Sequence, residues 1–235
     1  MLVLAFDTTA AACSVALVRG DAMLASLSEP MDQGQAEALL PAIERVMREG
    51  GFSYDALDRI AVTVGPGSFT GVRVGLSTAR ALGLAAGKPV VGVSTLDVLA
   101  GAVPAAELAH TATILAAVDT KRGELYVQAF DAANRTARGE PAALPPAEIP
   151  DWLSEDRVLV VGDGTAAALK VLGGAIASRA DPLPSAVVLA RLAAGRAPDA
   201  AGPLPLYVLP PKITLAPHGG RLRPAAEEDE GRSRP

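Results

Sequence analysis

Two Asp-Thr pairs, Asp7-Thr8 and Asp119-Thr120, each end an apolar run and open a turn, the first in "LAFDTTAAACSVALV" and the second in "LAAVDTKRGELYVQAF". A carboxylate at such a turn has two uses. It orients a divalent cation and phosphate when neighbouring backbone N–H groups hold the phosphate oxygens, or it accepts the turn's own N–H groups and shapes the bend. The first turn continues as "TAAAC" and lacks a glycine that would open its backbone; the second carries Lys121, Arg122 and Gly123, which suit an anion and an exposed hairpin equally. A third candidate is "GPGSFTG", starting at Gly65. It is glycine-rich and precedes a helical pattern, so its N–H groups are available to an anion. It lacks the Gly-Lys-Ser/Thr ending of a phosphate-binding P-loop, and its proline suits a rigid turn.

These residues need elements to position them. Residues 2–7, 13–18 and 22–28 read as three strands, with Arg19-Gly20-Asp21 in the turn between the last two; that adhesion-like tripeptide is read as turn chemistry. "QAEALLPAIERVMR" from Gln35 to Arg48 places Leu39, Leu40, Ile43, Val46 and Met47 on one helical stripe, with Pro41 expected to kink or locally break it. Residues 59–65 and 90–94 read as strands. Between them a helix runs to about Ala86, capped by Ser68 or Thr70 and stopped by Gly87 and Pro89. Along it Gly71, Gly75, Ala79, Gly83 and Gly87 recur every fourth position. Each interior glycine costs about 1 kcal/mol against alanine, so close packing has to offset it. The seam fits either the chain's own first helix or a second subunit. Past a loop near "GAVPAAELAHT", strands are expected at 113–118, 125–130 and from 157, with a short helix in "TAAALKVL" and another over 185–196 capped by Ser185. From Pro217 onward the composition predicts a disordered tail.

Composition narrows the functions. Half of the 235 residues are hydrophobic, yet no apolar run approaches the roughly 18–20 residues of a membrane span. "MLVLAF" meets Asp7 too early for a signal peptide, so a cytoplasmic location without membrane contact is expected. A net charge of −5 and an aromatic content of 3% argue against a free-standing nucleic-acid binder. Cys13 stands alone, which leaves no intrachain disulfide and suggests a buried structural thiol. With only His110 and His218 besides, no metal site is expected. No Ser or Cys has a histidine nearby in sequence to serve as its base, which speaks against a peptidase.

Strands alternating with helices, twice in tandem, point to a duplicated α/β fold. The doubled Asp turn resembles the actin, Hsp70 and sugar-kinase superfamily. Within it, "LAFDTTAAACSVAL", "LLPAI", "VTVGPGSFTGVRVGLSTARALGLA" and "VVGVSTLDVLA" resemble the bacterial TsaB (YeaZ) family, the partner of TsaD in forming N6-threonylcarbamoyladenosine on tRNA. The resemblance implies a two-lobed fold with a degenerate second lobe: residues 1–107 as the first lobe, 108–216 as the second with its end packing back on the first, and 217–235 as tail. It implies a non-catalytic scaffold without cofactor, paired with a TsaD-like catalytic subunit and a TsaE-like ATPase, touching tRNA only through the complex, and forming homodimers when alone. The related catalytic subunits carry two metal-ligand histidines at places that fall on Thr95 and Leu99 here. Many members have histidine where this chain has Gln35. Asp7, Thr8, Asp119 and Thr120 become vestigial phosphate-turn residues. The partner interface is expected on Leu39, Ile43 and Met47 of the first helix and Val72, Gly75, Leu76, Ala79 and Gly83 of the second. A small ATPase or kinase of the same superfamily is the alternative, and a peptidase the remote one.

Overall fold

The computed structural model describes residues 1–153, 157–198 and 201–209. The expected tail, His218 and the end of the second lobe lie outside the described residues.

The duplication is complete at the level of topology. The first half runs β1 (Leu2–Asp7), β2 (Ala12–Arg19), β3 (Ala22–Pro30), α1 (Gln35–Gly50), β4 (Arg59–Thr63), α2 (Phe69–Ala86), β5 (Val90–Val93) and α3 (Thr95–Ala102). The second half repeats that order as β6 (Thr113–Asp119), β7 (Leu125–Asp131), β8 (Ala137–Leu144), α4 (Ile149–Leu153), β9 (Val158–Val161), α5 (Thr165–Leu169), β10 (Ile176–Ala177) and α6 (Ala186–Ala194). The two five-stranded sheets have matching orders, β3-β2-β1-β4-β5 and β8-β7-β6-β9-β10. In each, the opening strand pairs antiparallel with the next and parallel with the fourth. The second copy is worn down. Its α4 and α5 have five residues each, against 16 and 18 in α1 and α2.

Every residue of β1 is buried because both faces of its sheet are covered. Leu2, Leu4 and Phe6 pack with Leu39, Ile43 and Met47 of α1 and Val72, Leu76 and Ala79 of α2. On the other face, Val3 and Ala5 meet Leu189, Ala190 and Ala193 of α6, the last helix of the second half. The exchange is reciprocal, since Leu96, Leu99 and Ala100 of α3 join Ile114, Ala116 and Phe130 of the second sheet. Arg59, at the start of β4, donates through Nη1 to the carbonyls of Ala193, in the last turn of α6, and Arg196, just beyond it, at 2.7 Å, and so ties that end of the helix to the first sheet. Neither half closes its core alone.

Local chemistry explains the ends of the long helices. Ser68 caps α2 by accepting the Gly71 N–H at 3.3 Å, and Gly87 terminates it at φ +64°. Ser185 occupies the N-cap position of α6 without a capping bond; the Ala186 N–H donates instead to Ser14 Oγ on β2 at 3.1 Å. The helix is thus capped across the lobes. α1 continues through Pro41 without the local break that the sequence allowed. Pro41 lies on the exposed side, and the buried stripe of Leu39, Ala42, Ile43, Val46 and Met47 holds the helix in place.

The glycine seam closes on the chain's own sheet. A Cβ on Gly71 would stand 1.8 Å from the Thr8 carbonyl oxygen, one on Gly75 2.9 Å from Thr8 Oγ1, and one on Gly83 2.5 Å from Val90 Cγ2. Gly71→Ala is therefore expected to lower the unfolding free energy by about 2–4 kcal/mol in denaturant titration. Gly173→Ala, where a Cβ meets nothing within 4 Å, is expected to stay within about 0.5 kcal/mol of the parent. Equal effects would refute the contact.

Candidate functional site

The two Asp-Thr turns face one cleft between the lobes. Its volume is about 430 Å³, and its walls include Thr9, Ala10 and Gln35 from the first half, Asp119, Thr120, Lys121 and Asp163 from the second, and the segment ending at Leu209. The turns have different chemistry.

Asp7 is fully buried behind the cleft wall. Its Oδ1 accepts from the Thr9 N–H at 3.3 Å, Thr9 Oγ1 at 2.6 Å and Thr63 Oγ1 at 2.5 Å, while Oδ2 is buried without a partner. Burial pushes this carboxyl above its ordinary value, against the lowering effect of those donors. The wall in front of it is the "GPGSFTG" loop. A Cβ on Gly67 would lie 2.4 Å from the Thr9 carbonyl oxygen, the Ser68 N–H donates to that oxygen at 2.8 Å, and Thr8 Oγ1 donates to the Gly71 carbonyl at 2.7 Å. The Ser68 amide is thereby consumed within the fold, and the Gly71 amide is taken by Ser68 Oγ. This loop therefore acts as a clamp on the first turn, and the turn does not fit a phosphate cradle.

The second turn is half-open. Asp119 accepts from the Lys121 N–H at 2.7 Å and from Lys121 Nζ at 3.0 Å, and its own N–H donates to Asp163 Oδ1 at 2.8 Å. Burial works to raise the Asp119 carboxyl, but the bonds from Lys121 hold it below its ordinary value. Bonding to Asp119 likewise raises the Lys121 ammonium, with Asp163 Oδ2 3.6 Å away. Thr120 Oγ1 accepts the Arg122 N–H at 3.1 Å. These amides too are engaged internally, and the Lys121 cation stands beside both carboxylates.

Other expectations find their places. All eight residues expected at a partner interface, Leu39, Ile43, Met47, Val72, Gly75, Leu76, Ala79 and Gly83, are buried inside the chain, so the surface free for a partner on these helices is their opposite side. Leu40 of α1 and Leu84 of α2 stand there, 51% and 87% exposed. Gln35 ties the start of α1 to the first turn, donating to the Met31 carbonyl at 3.0 Å and the Ala10 carbonyl at 3.4 Å. Thr95 and Leu99 are buried, Thr95 Oγ1 lying 3.1 Å from Thr9 Oγ1 and Leu99 packing against Gly162. Cys13 is a core thiol pushed up to about 11 by burial and by the Asp7 and Glu29 charges. His110 is exposed at the end of a short 3₁₀ turn. Among the described residues no three His, Cys, Asp or Glu side chains are grouped to hold a metal ion.

Sequence reasoning missed Phe69, Arg73 and Tyr207. Phe69 and Tyr207 pair at the cleft with centroids 5.6 Å apart, and the Arg73 guanidinium lies 3.7 Å over the Phe69 ring. In a chain this poor in aromatics, each ring was a usable signal; their proximity, 138 positions apart in sequence, was not.

A family model described as TsaD, tRNA N6-adenosine threonylcarbamoyltransferase, matches residues 30–153. A solved structure described as YeaZ from Pseudomonas aeruginosa superposes with a TM-score of 0.74 at 32% identity, covering 88% of this chain and 99% of that one. The chain belongs to the TsaB (YeaZ) family. The TsaB (tRNA threonylcarbamoyladenosine biosynthesis protein) of Haemophilus influenzae is 37% identical over 127 residues, 54% of this chain and 52% of that protein. The chain thus matches about half the length of such curated TsaB relatives. A polyphosphate/ATP-glucomannokinase from Arthrobacter superposes with a TM-score of 0.50 at 12% identity over 82% of this chain and 98% of that one, which relates the TsaB fold to sugar kinases at the level of fold alone.

The clamp on Asp7 has a measurable pH signature. A carboxyl raised above its unfolded value of 3.8 contributes stability that is present below about pH 4 and lost as pH rises through its folded value. Asp7→Asn, which keeps the shape without the ionisation, is expected to fold and to gain stability relative to the parent as pH rises above about 4 in parallel denaturant titrations. A difference that does not change with pH would contradict the assignment.

Proposed function

We propose that this chain is the supporting subunit of a tRNA threonylcarbamoyladenosine-forming complex, holding a TsaD-like catalytic subunit in a heterodimer. The observation that carries the reading is the combination of TsaB family membership with an inter-lobe site whose first acidic turn is clamped shut by Gly67 and Gly71. A catalyst of the related kinase type has to present that carboxylate to a metal and phosphate. Here Asp7 is walled in, and Thr95 and Leu99, at the places implied for metal ligands, are committed to the core.

The exposed side of α1 and α2 is the surface we assign to the partner. A TsaD-like protein shares the fold recognised by the family model, so it presents equivalent helices and can pair with them pseudo-symmetrically. By the same symmetry, two copies of the chain are expected to pair when the partner is absent. A TsaE-like ATPase completes the complex, and tRNA is met through the assembly, since a chain of net charge −5 offers weak attraction to phosphate. No helix of the described residues is long and apolar enough to cross a membrane, which is consistent with a cytoplasmic site of action.

Co-purification with the host's TsaD-like protein tests this directly. The wild-type chain is expected to form a stable complex and to restore threonylcarbamoyladenosine in the tRNA of a strain depleted of it. Leu40→Asp combined with Leu84→Asp is expected to weaken the complex at least about tenfold while leaving the monomer folded, because both side chains already face solvent. Mg²⁺-dependent ATP turnover by the isolated chain, abolished by Asp7→Asn, would replace this reading with that of a small ATPase or kinase.

A further inference from the structure

The end of the described chain does not belong to the half of the sequence from which it emerges. After α6, residues 203–209 run back across the first lobe as a strap. Pro203 is buried against Gly92 of β5, where a Cβ would lie 2.6 Å from its ring, and its carbonyl accepts from Arg80 Nη2 at 2.7 Å. The Leu206 N–H donates to the Val64 carbonyl at 2.8 Å, and the Leu206 carbonyl lies against Gly65, 2.9 Å from where a Cβ would stand. Tyr207 meets Phe69 and accepts from Arg73 Nε at 3.3 Å, and residues 206–209 form one wall of the inter-lobe cleft.

Two of these fastenings come from one helix. Arg73 and Arg80 are both exposed residues of α2. We propose that residues 203–209 are a strap that forms the movable wall of the inter-lobe cleft, held shut through Arg73 and Arg80, and that a protein docking on the exposed side of α2 competes for these guanidinium groups and loosens it. The docking half of this inference rests on the partner surface proposed above. Physically, the coupling needs the partner to bind better to the chain with the two arginines free than to the strapped form, which is the differential affinity any such shift requires. Leu84, on the same helix without a strap contact, separates the two effects.

The test is amide exchange at Leu206, with maleimide labelling of Ala10→Cys as a second reporter of the cleft; the parent, whose Cys13 is buried, gives the background. In the full chain without partner, Arg73→Ala with Arg80→Ala is expected to raise both rates about fivefold or more, the loss of two anchoring contacts of ordinary strength. Leu84→Ser is expected to leave both unchanged. Unchanged rates in the double-arginine variant would overturn the strap. Adding the TsaD-like protein to the parent chain is expected to raise Leu206 exchange as the complex forms. If the complex forms and Leu206 exchange does not rise, the coupling is overturned while the partner reading stands; if no complex forms, the partner reading fails and takes the coupling with it, whatever the arginine variants show for the strap.

Discussion

The contact of two bare glycines with the first Asp-Thr turn is the constraint from which the rest of the molecule follows. At Gly67, in the loop before α2, and at Gly71, in the first turn of α2, the backbone comes so close to the carbonyls of Thr9 and Thr8 that no side chain fits between them. The approach lets the Ser68 N–H donate to the Thr9 carbonyl and Thr8 Oγ1 to the Gly71 carbonyl across the gap, fixes where α2 starts, and sets its small-residue seam on β4 and β5. Asp7 is sealed as a result, with three donors on one oxygen and none on the other. A loop rich in glycine is commonly open to phosphate because its amides are free. In this chain the same absence of side chains serves backbone-to-backbone packing, and the Ser68 amide is spent there.

The lobes are locked by exchange of their last helices. α6 covers the sheet of the first half and α3 that of the second, while Arg59 and Ser14 tie the two ends of α6 to the first sheet. A worn second copy can persist under this arrangement. Its short α4 and α5 cover one face of its sheet, but its other face and its final helix are held by the better-preserved half. The strap extends the same dependence to residue 209.

Much of this was legible in the residues. The Asp-Thr repeat revealed the duplication, the β-branched runs placed β4 and β5, and Gly87 marked the end of α2. The eight buried positions on α1 and α2 were recognised as apolar seams, yet a spacing rule tells which residues share a face and not what covers it; here the cover was the chain's own sheet. β8 escaped notice because "ARGEPAAL" is an exposed edge strand, with neither alternation nor β-branched residues. The cap of α6 by Ser14 and the meeting of Phe69 with Tyr207 join residues 172 and 138 positions apart, and no local pattern encodes such pairs.

Native-state hydrogen exchange of the Ser68 amide, which donates to the Thr9 carbonyl, measures directly whether the first turn is held shut. The account predicts that this amide exchanges only when the whole molecule unfolds, with an opening free energy equal to the global value from denaturant titration. Exchange through a local opening several kcal/mol cheaper than global unfolding would show a turn that opens within the folded chain, and would contradict the clamp.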